Sequence, residues 1–137
     1  IFPTPEAIYL ATTSNDSELV IISVNSNIDL YPQNGYAISS TFDPLSPTST
    51  QNWIKWVGEV PSNTAVKFQV ATNNDNATWN YLGPDGTSNT FYSSLDQTLI
   101  NYSGHLNNQY LRYKVLLDSN DRETTPYVFG VDISYSP

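Results

Sequence analysis

The sequence predicts an all-β domain, an antiparallel β-sandwich or jelly roll, from two observations. Short runs of apolar and β-branched residues recur along the chain with period-two alternation, and Gly, Pro, Asn and Asp separate them. No apolar pattern with the period of a helix persists, and the chain is rich in Asn, Ser, Thr and Tyr but poor in Lys and Glu. We therefore expect about eight to ten short strands, with less than about a tenth of the residues helical.

The individual strands follow from the alternation and from the turn signals between them. Residues 7–13 and 18–24 flank a Ser-Asn-Asp-Ser segment, which predicts a hairpin. Further strands are predicted at residues 36–42, 53–60, 64–72, 78–82, 90–93, 109–117 and 127–135. The length of 137 residues suits one domain with a single core, so the chain is treated as one β-sandwich spanning residues 1–137.

Alternation also predicts which side chains fill the core. The residues expected to be largely buried are Val66, Phe68, Val70, Leu111, Tyr113, Val115, Phe129, Val131 and Ile133, with Tyr127 and Tyr135 on the same side as the last three. Trp79 and Tyr81 share one face of their short strand, and two interpretations stay open for them: both rings help to fill the core, or a ring is exposed at the edge of the sandwich.

The segment from Asn73 to Asn89 contains two turn signals. Gly83-Pro84-Asp85-Gly86 has Pro where a type I turn needs φ near −65°, and it is predicted to connect strands 78–82 and 90–93. Asn73-Asn74-Asp75-Asn76 is predicted to be a second turn, between the strand at 64–72 and the strand that contains Trp79.

Charge and composition exclude several classes of partner. The net charge of −8 and the pI near 4.1 disfavour nucleic acid and anionic membrane surfaces. No run of eighteen apolar residues predicts membrane insertion, and the first ten residues lack the basic start and apolar stretch of a signal peptide. The chain is therefore expected to be either cytosolic or already processed, and its composition is typical of extracellular β-proteins.

Catalytic residues are not predicted. The chain has no Cys, its single histidine, His105, lies in a loop where a hydrogen-bonded turn residue is expected, and the acids fall mostly in turns. No cofactor is predicted either. Calcium stays open as a structural alternative, because oxygen ligands occur at Asp43, Asn73, Asp75 and the group Asp118, Asn120 and Asp121, although none matches EF-hand spacing.

Three segments carry a resemblance to a known family. The sequences VKFQVATNNDNATW, QYLRYKVLL and TPYVFGVDISY resemble the C-terminal half of discoidin-like domains of the galactose-binding-like jelly-roll superfamily, with Gln109 where the family pattern has its first Arg. Ser39-Ser40-Thr41-Phe42-Asp43, the stretch Trp53 to Trp56 with Pro61, and Thr125-Pro126 with Tyr135 resemble a module of secreted and cell-surface bacterial proteins. The resemblance covers about residues 36–135, so residues 1–35 are either extra strands or the edge of a neighbouring domain. It implies a jelly-roll fold and, in many relatives, a structural calcium.

The functional expectation is a non-catalytic, extracellular or cell-surface module that binds carbohydrate or glycoconjugate. Sugar receptors combine an aromatic platform with side chains that hydrogen-bond hydroxyls, and such residues are expected at one end of the sandwich: Trp53, Asn73, Asp75, Trp79, Tyr81 and Tyr92, near Asn76 and Asn89. The alternative is a structural or adhesive module of a surface filament, pilus-like fibre or multidomain protein, which would contact neighbouring domains or subunits.

The basic residues form the last expectation. Lys67, Gln69, Arg112 and Lys114 occupy outward positions of two strands whose counterparts pair in the resembled superfamily, so the resemblance implies that they cluster on one solvent-facing sheet surface. Ordinary cross-strand pairing with Glu59 or Asp132 would explain them. A sharper hypothesis is that they receive an acidic sugar or a neighbouring subunit's carboxylates, with Arg112 as the ligand-binding anchor.

Overall fold

The computed structural model describes residues 8–10, 20–22, 30–100 and 102–137, and these ranges are built from strands and turns. The strands are β1 (Ile8–Leu10), β2 (Val20–Ile22), β3 (Asn34–Ile38), β4 (Thr50–Glu59), β5 (Thr64–Asn73), β6 (Thr98–Leu99), β7 (Tyr110–Ser119) and β8 (Tyr127–Ser136). One 3₁₀ turn at Ser103–His105 is the helical content of these ranges. The all-β prediction is confirmed for this part of the chain.

The first two strands form the N-terminal hairpin pair that the sequence predicts. β1 and β2 run antiparallel, with Ile8 opposite Ile22 and Leu10 opposite Val20. They form a two-stranded sheet of their own. The turn predicted between them, at residues 14–17, lies outside the described residues.

Two three-stranded antiparallel sheets make up the rest of the architecture. The front sheet has the order β3–β7–β5, and the back sheet has the order β6–β4–β8. Apolar side chains of both sheets form one core, in which the Trp56 ring of the back sheet lies 5.6 Å from the Phe68 ring of the front sheet. The buried members of the core are Ile54, Trp56, Val66, Phe68, Val70, Tyr92, Ile100, Leu111, Val115, Leu117 and Val128. The arrangement is therefore sandwich-like.

Alternation predicted the two long strands of the front sheet correctly. In β5, Val66, Phe68 and Val70 are buried, and in β7, Leu111 and Val115 are buried. Tyr113, Val131 and Ile133 are partly buried and pack against the same core. These eight residues of the predicted core are thus where the period-two pattern placed them.

The prediction for Phe129 is wrong, because a β-bulge interrupts β8. Val57 pairs with Gly130, but the next residue of β4, Gly58, pairs with Val128, so Phe129 is an extra residue without a partner in β4. The bulge reverses the alternation on its N-terminal side: Val128 is buried, whereas Phe129 is 55% exposed. Tyr127 is also exposed, and Tyr135 is 40% exposed at the margin of the core.

The two short strands predicted around the Gly-Pro-Asp-Gly turn are reduced to single bridges. Leu82 pairs with Val70 and Tyr92 pairs with Phe68, so both segments join β5 instead of each other. The turn itself is confirmed, since the Gly86 N–H donates to the Gly83 carbonyl at 3.0 Å and Gly86 has φ of 80°. Residues 83–91 therefore form a compact loop, here called the β5 loop. The residues on either side of it, Leu82 and Tyr92, pair with Val70 and Phe68, which are two positions apart in β5.

Candidate functional site

Strand register places the basic residues on one face of the front sheet. Lys114 lies opposite Gln69, Arg112 opposite Ala71, and Lys67 opposite Leu116. Residues directly opposite each other in an antiparallel pair point to the same side, and the buried alternates Phe68, Val70 and Val115 point to the core. The outward side that carries Lys67, Arg112 and Lys114 is called the cation face. The prediction that these residues and Gln69 share one face is confirmed.

Gln69 shares that face but is not part of its solvent surface. Its side chain is covered by the β5 loop, and the residue is 5% exposed. The Gln69 amide donates to the carbonyl of Ser88 at 2.9 Å and to that of Thr90 at 3.1 Å. The expectation of a solvent-facing Gln69 is therefore wrong, because the loop between the two bridges folds back over β5.

Arg112 is held on two sides by its neighbours. Its Nε donates to Thr41 Oγ1 at 2.8 Å, and its Cζ lies 4.5 Å from the centroid of the Trp79 ring. Thr41 Oγ1 donates in turn to Asn76 Oδ1 at 3.3 Å. No described residue accepts a hydrogen bond from the terminal nitrogens of Arg112 or forms an ion pair with it. The guanidinium is thus held through Nε and against the Trp79 ring, and its terminal nitrogens have no acceptor among the described residues.

The turn at residues 73–78 places Trp79 against this arginine. Asn73 Nδ2 donates to the Thr78 carbonyl at 2.7 Å, and Asp75 accepts from the N–H groups of Ala77 and Thr78, both at 2.9 Å. The Thr78 hydroxyl also donates to Asp75, at 2.7 Å. The bonds that Asp75 accepts, with the Thr78 N–H contributing most, lower its pKa to about 2. Asn73 and Asp75 therefore stabilise the turn, which is their structural role beside the predicted site.

The other two cations of the face also contact aromatic rings. Lys114 Nζ lies 4.9 Å from the centroid of the Tyr36 ring, and Tyr36 is 61% exposed. Lys67 Nζ lies 5.5 Å from the centroid of the Phe91 ring. Cations within about 6 Å of a ring are attracted by its negative face. The cation face is therefore a series of three cation–aromatic contacts.

Ion pairing on this face differs from the prediction. Lys67 Nζ lies 2.6 Å from the Asp118 carboxylate, which is the one ion pair among the described residues. Glu59 and Asp132, the acids that the sequence suggested as partners, lie in β4 and β8 of the back sheet. Because these two acids belong to the back sheet, they do not pair with the cations of the cation face.

The structure separates the remaining predicted ligand-binding residues. Trp53 lies in β4 of the back sheet, opposite Ser134 and Leu99. Tyr92 is 2% exposed and belongs to the core, where burial raises its pKa to about 12. Trp79 and Tyr81 are half-buried. Of the predicted aromatic residues, Trp79 contacts Arg112.

Sequence reasoning missed two residues of this face, Tyr36 and Thr41, as contributors to a site. Tyr36 lies in β3 opposite Leu116 of β7, and Thr41 follows β3 in the segment that returns to β7 through the Phe42–Leu111 bridge. The Ser-Ser-x-Phe-Asp element marked this segment in the sequence. Its position beside Arg112 depends on the pairing of β3 with β7, which local pattern does not specify.

The histidine and two of the candidate calcium-binding acids make local hydrogen bonds. His105 is buried in the 3₁₀ turn, with its Nδ1 2.9 Å from Thr72 Oγ1, so it is the hydrogen-bonded turn residue that the sequence predicts. Asp43 accepts from the Leu45 N–H and from Gln109 Nε2, and Asp121 accepts from Asn63. Within the described residues, no three acids or histidines are grouped closely enough to hold a metal ion.

A small depression lies at the other end of the front sheet, and its lining includes Tyr31, Asn34, Asp118 and Pro126. Asp118 is engaged by Lys67. The depression therefore offers fewer free charged groups than the cation face.

Comparison with known proteins finds no matching family, no similar curated protein and no similar solved structure. In the described part of the chain, no helix has the length and apolar character needed to cross a bilayer.

Proposed function

We propose that this chain is a non-catalytic, extracellular carbohydrate- or glycoconjugate-binding module. We further propose that its two sheets belong to a jelly roll of the galactose-binding-like, discoidin-like type, as the sequence resemblance implies. The observation that carries the functional proposal is the cation face, where Trp79 and Tyr36 lie beside Arg112 and Lys114 on one surface.

The chemistry of this face suits a sugar. Sugars offer apolar C–H surfaces that pack on aromatic rings, and hydroxyls that need hydrogen-bond partners. Tyr36 supplies an exposed ring, and the terminal nitrogens of Arg112, which have no acceptor among the described residues, supply donors. Asn76, an exposed residue of the adjoining turn, adds an amide group. An extended, shallow surface of this kind fits a chain of sugars better than a small molecule that must be enclosed.

A glycan-array screen followed by calorimetry tests the proposal. Tyr36→Ala and Trp79→Ala are expected to weaken binding of the best glycan by about two- to tenfold, since an aromatic contact contributes about 0.5–1.5 kcal/mol beyond its area. Phe129→Ala is the matched control, because it removes an exposed ring from the back sheet. Equal losses in all three variants, or no glycan bound by the wild-type protein, would contradict the proposal.

A structural or adhesive role is the second candidate, and the outer side of the back sheet favours it. Val57, Leu99 and Phe129 are all more than half exposed there, and the Tyr127 and Phe129 rings stack with centroids 6.5 Å apart. Exposed apolar patches of this kind often mark contacts with other proteins. Under this alternative, Phe129→Ser should abolish concentration-dependent association in sedimentation experiments, whereas Tyr36→Ala should leave it unchanged.

A further inference from the structure

The cations of the front sheet are unusual for so acidic a protein. The chain carries 5 Lys and Arg against 13 Asp and Glu, yet Lys67, Arg112 and Lys114 share one face. Only Lys67 has an acidic partner among the described residues. Arg112 and Lys114 instead contact rings, which leaves two positive charges at a single surface without an ion-pair partner among the described residues.

The way in which Arg112 is held suits it to binding a carboxylate. A guanidinium binds a planar carboxylate through two parallel N–H donors. With Nε committed to Thr41 and one flat side against Trp79, the two terminal nitrogens remain as that pair of donors. Because the side chain is already ordered, binding costs less conformational entropy than it would for a free arginine.

Lys114 extends the site along the strand. It lies two residues from Arg112 on the same face of β7, a separation of about 7 Å at the usual rise of a strand. Tyr36 lies opposite Leu116, which is two residues beyond Lys114 in β7. Its position is therefore roughly 13 Å from Arg112 along the strand direction. This surface is longer than one sugar ring, so it fits an oligosaccharide.

From this geometry we infer that the ligand is an oligosaccharide that carries carboxylates, such as a uronic-acid or sialylated chain. Arg112 binds a carboxylate through its terminal nitrogens, Lys114 provides the second positive charge, and a sugar ring packs against Tyr36. This inference rests on the proposed carbohydrate-binding function and adds the chemical class of the sugar. An acidic peptide could satisfy the two charges, but it has no need of the exposed Tyr36 ring.

Calorimetry with paired ligands tests the inference. The probes are oligogalacturonate, oligoguluronate and sialyllactose, each beside a form in which the carboxylates are reduced to alcohols. For at least one pair, the acidic form is expected to bind about tenfold tighter, the size of effect expected when a charge-assisted hydrogen bond is lost. Arg112→Gln should remove that preference, and Lys114→Gln should reduce it.

Lys55→Gln provides the matched control, because Lys55 is an exposed cation on the back sheet. It makes the same change of charge and should leave the preference intact. Thermal unfolding of each variant checks the fold. If Arg112→Gln is destabilised, Lys114→Gln carries the test, since the Lys114 side chain contacts the exposed Tyr36 ring and has no hydrogen bond to another described side chain.

The outcomes separate this inference from the proposed function. Equal binding of acidic and reduced forms would overturn the carboxylate assignment and leave carbohydrate binding standing. Binding of neither form of any probe would overturn both. A glutamate-rich peptide that binds as tightly as the acidic sugars would also overturn both, since the face would then recognise anions irrespective of sugar.

Discussion

Acidification below about pH 6.5 should destabilise this protein through His105. His105 is 2% exposed, its Nδ1 contacts Thr72 Oγ1, and its Nε2 is buried without a hydrogen-bond partner. The nearest ring contact is the edge of Tyr102, with centroids 5.2 Å apart. Burial alone lowers the pKa of His105 to about 4 from an ordinary value of 6.5.

The sign and size of the effect follow from proton linkage. Since the folded pKa lies below the unfolded one, the unfolded chain takes up the proton first, so stability from His105 is complete above pH 6.5 and falls as pH drops toward 4. Each unit of pKa difference corresponds to about 1.4 kcal/mol. Between pH 7 and pH 4.5 the wild-type protein should therefore lose about 2 kcal/mol of unfolding free energy through this residue, given its folded pKa of about 4.

Urea denaturation at pH 7 and pH 4.5 measures this loss, with His105→Gln as the non-titrating reference. Glutamine keeps a polar atom for Thr72 but does not ionise in this range. The quantity of interest is the wild-type loss minus the loss in the variant. Asp75, Asp85 and Asp121 have lowered pKa values, so their contributions are present above about pH 3.8 and are lost below it.

An NMR titration of the His105 ring protons provides the second readout and should show no protonation of the folded state at pH 5.5. If His105 titrated near pH 6.5, or if wild type and His105→Gln lost equal stability between pH 7 and pH 4.5, the reasoning from burial would be refuted.

Two further pairs of substitutions test the packing. Phe68→Ala should cost about 3–5 kcal/mol of unfolding free energy, because Phe68 is fully buried. Phe129→Ala should cost less than about 1 kcal/mol. Similar losses for the two variants in urea denaturation would contradict the bulge in β8. Gly86→Ala should cost about 1–3 kcal/mol, because Gly86 has positive φ and a Cβ there would lie 2.2 Å from the Tyr102 ring. Gly130→Ala is its control, since a Cβ at Gly130 meets no atom within 4 Å. A thermal scan in which Gly130→Ala unfolded at a lower temperature than Gly86→Ala would contradict this prediction.

Local pattern predicted the core side of the two long front strands. Val66, Phe68 and Val70 alternate with polar residues in β5, as Leu111, Tyr113 and Val115 do in β7, so Phe68 and Val115 were assigned to the core correctly. In β8 the same logic failed at Phe129, because the bulge is defined by pairing with β4. Nothing within residues 127–135 indicates where that pairing shifts.

The site was predictable only in part, for a related reason. Arg112 and Trp79 were both named from the sequence, and the structure brings them together. Thr41 is 71 residues from Arg112 along the chain, and Tyr92 was misplaced because its bridge to Phe68 turns its side chain toward the core. Contacts over such separations depend on which strands become neighbours, and composition and spacing do not specify this.

The β5 loop has a consequence for how this protein could diversify. The residues that flank it, Leu82 and Tyr92, are hydrogen-bonded to Val70 and Phe68 of the same strand, so the separation of its ends is fixed by β5. Doubling the length of a flexible loop adds only about 0.6 kcal/mol of closure entropy. Insertions at the exposed residues 87–89, which leave Gly86 in place against Tyr102, would therefore lengthen the loop beside the cation face while the sheets beneath stay unchanged. This part of the loop is a position where new specificities can be selected, or engineered by grafting.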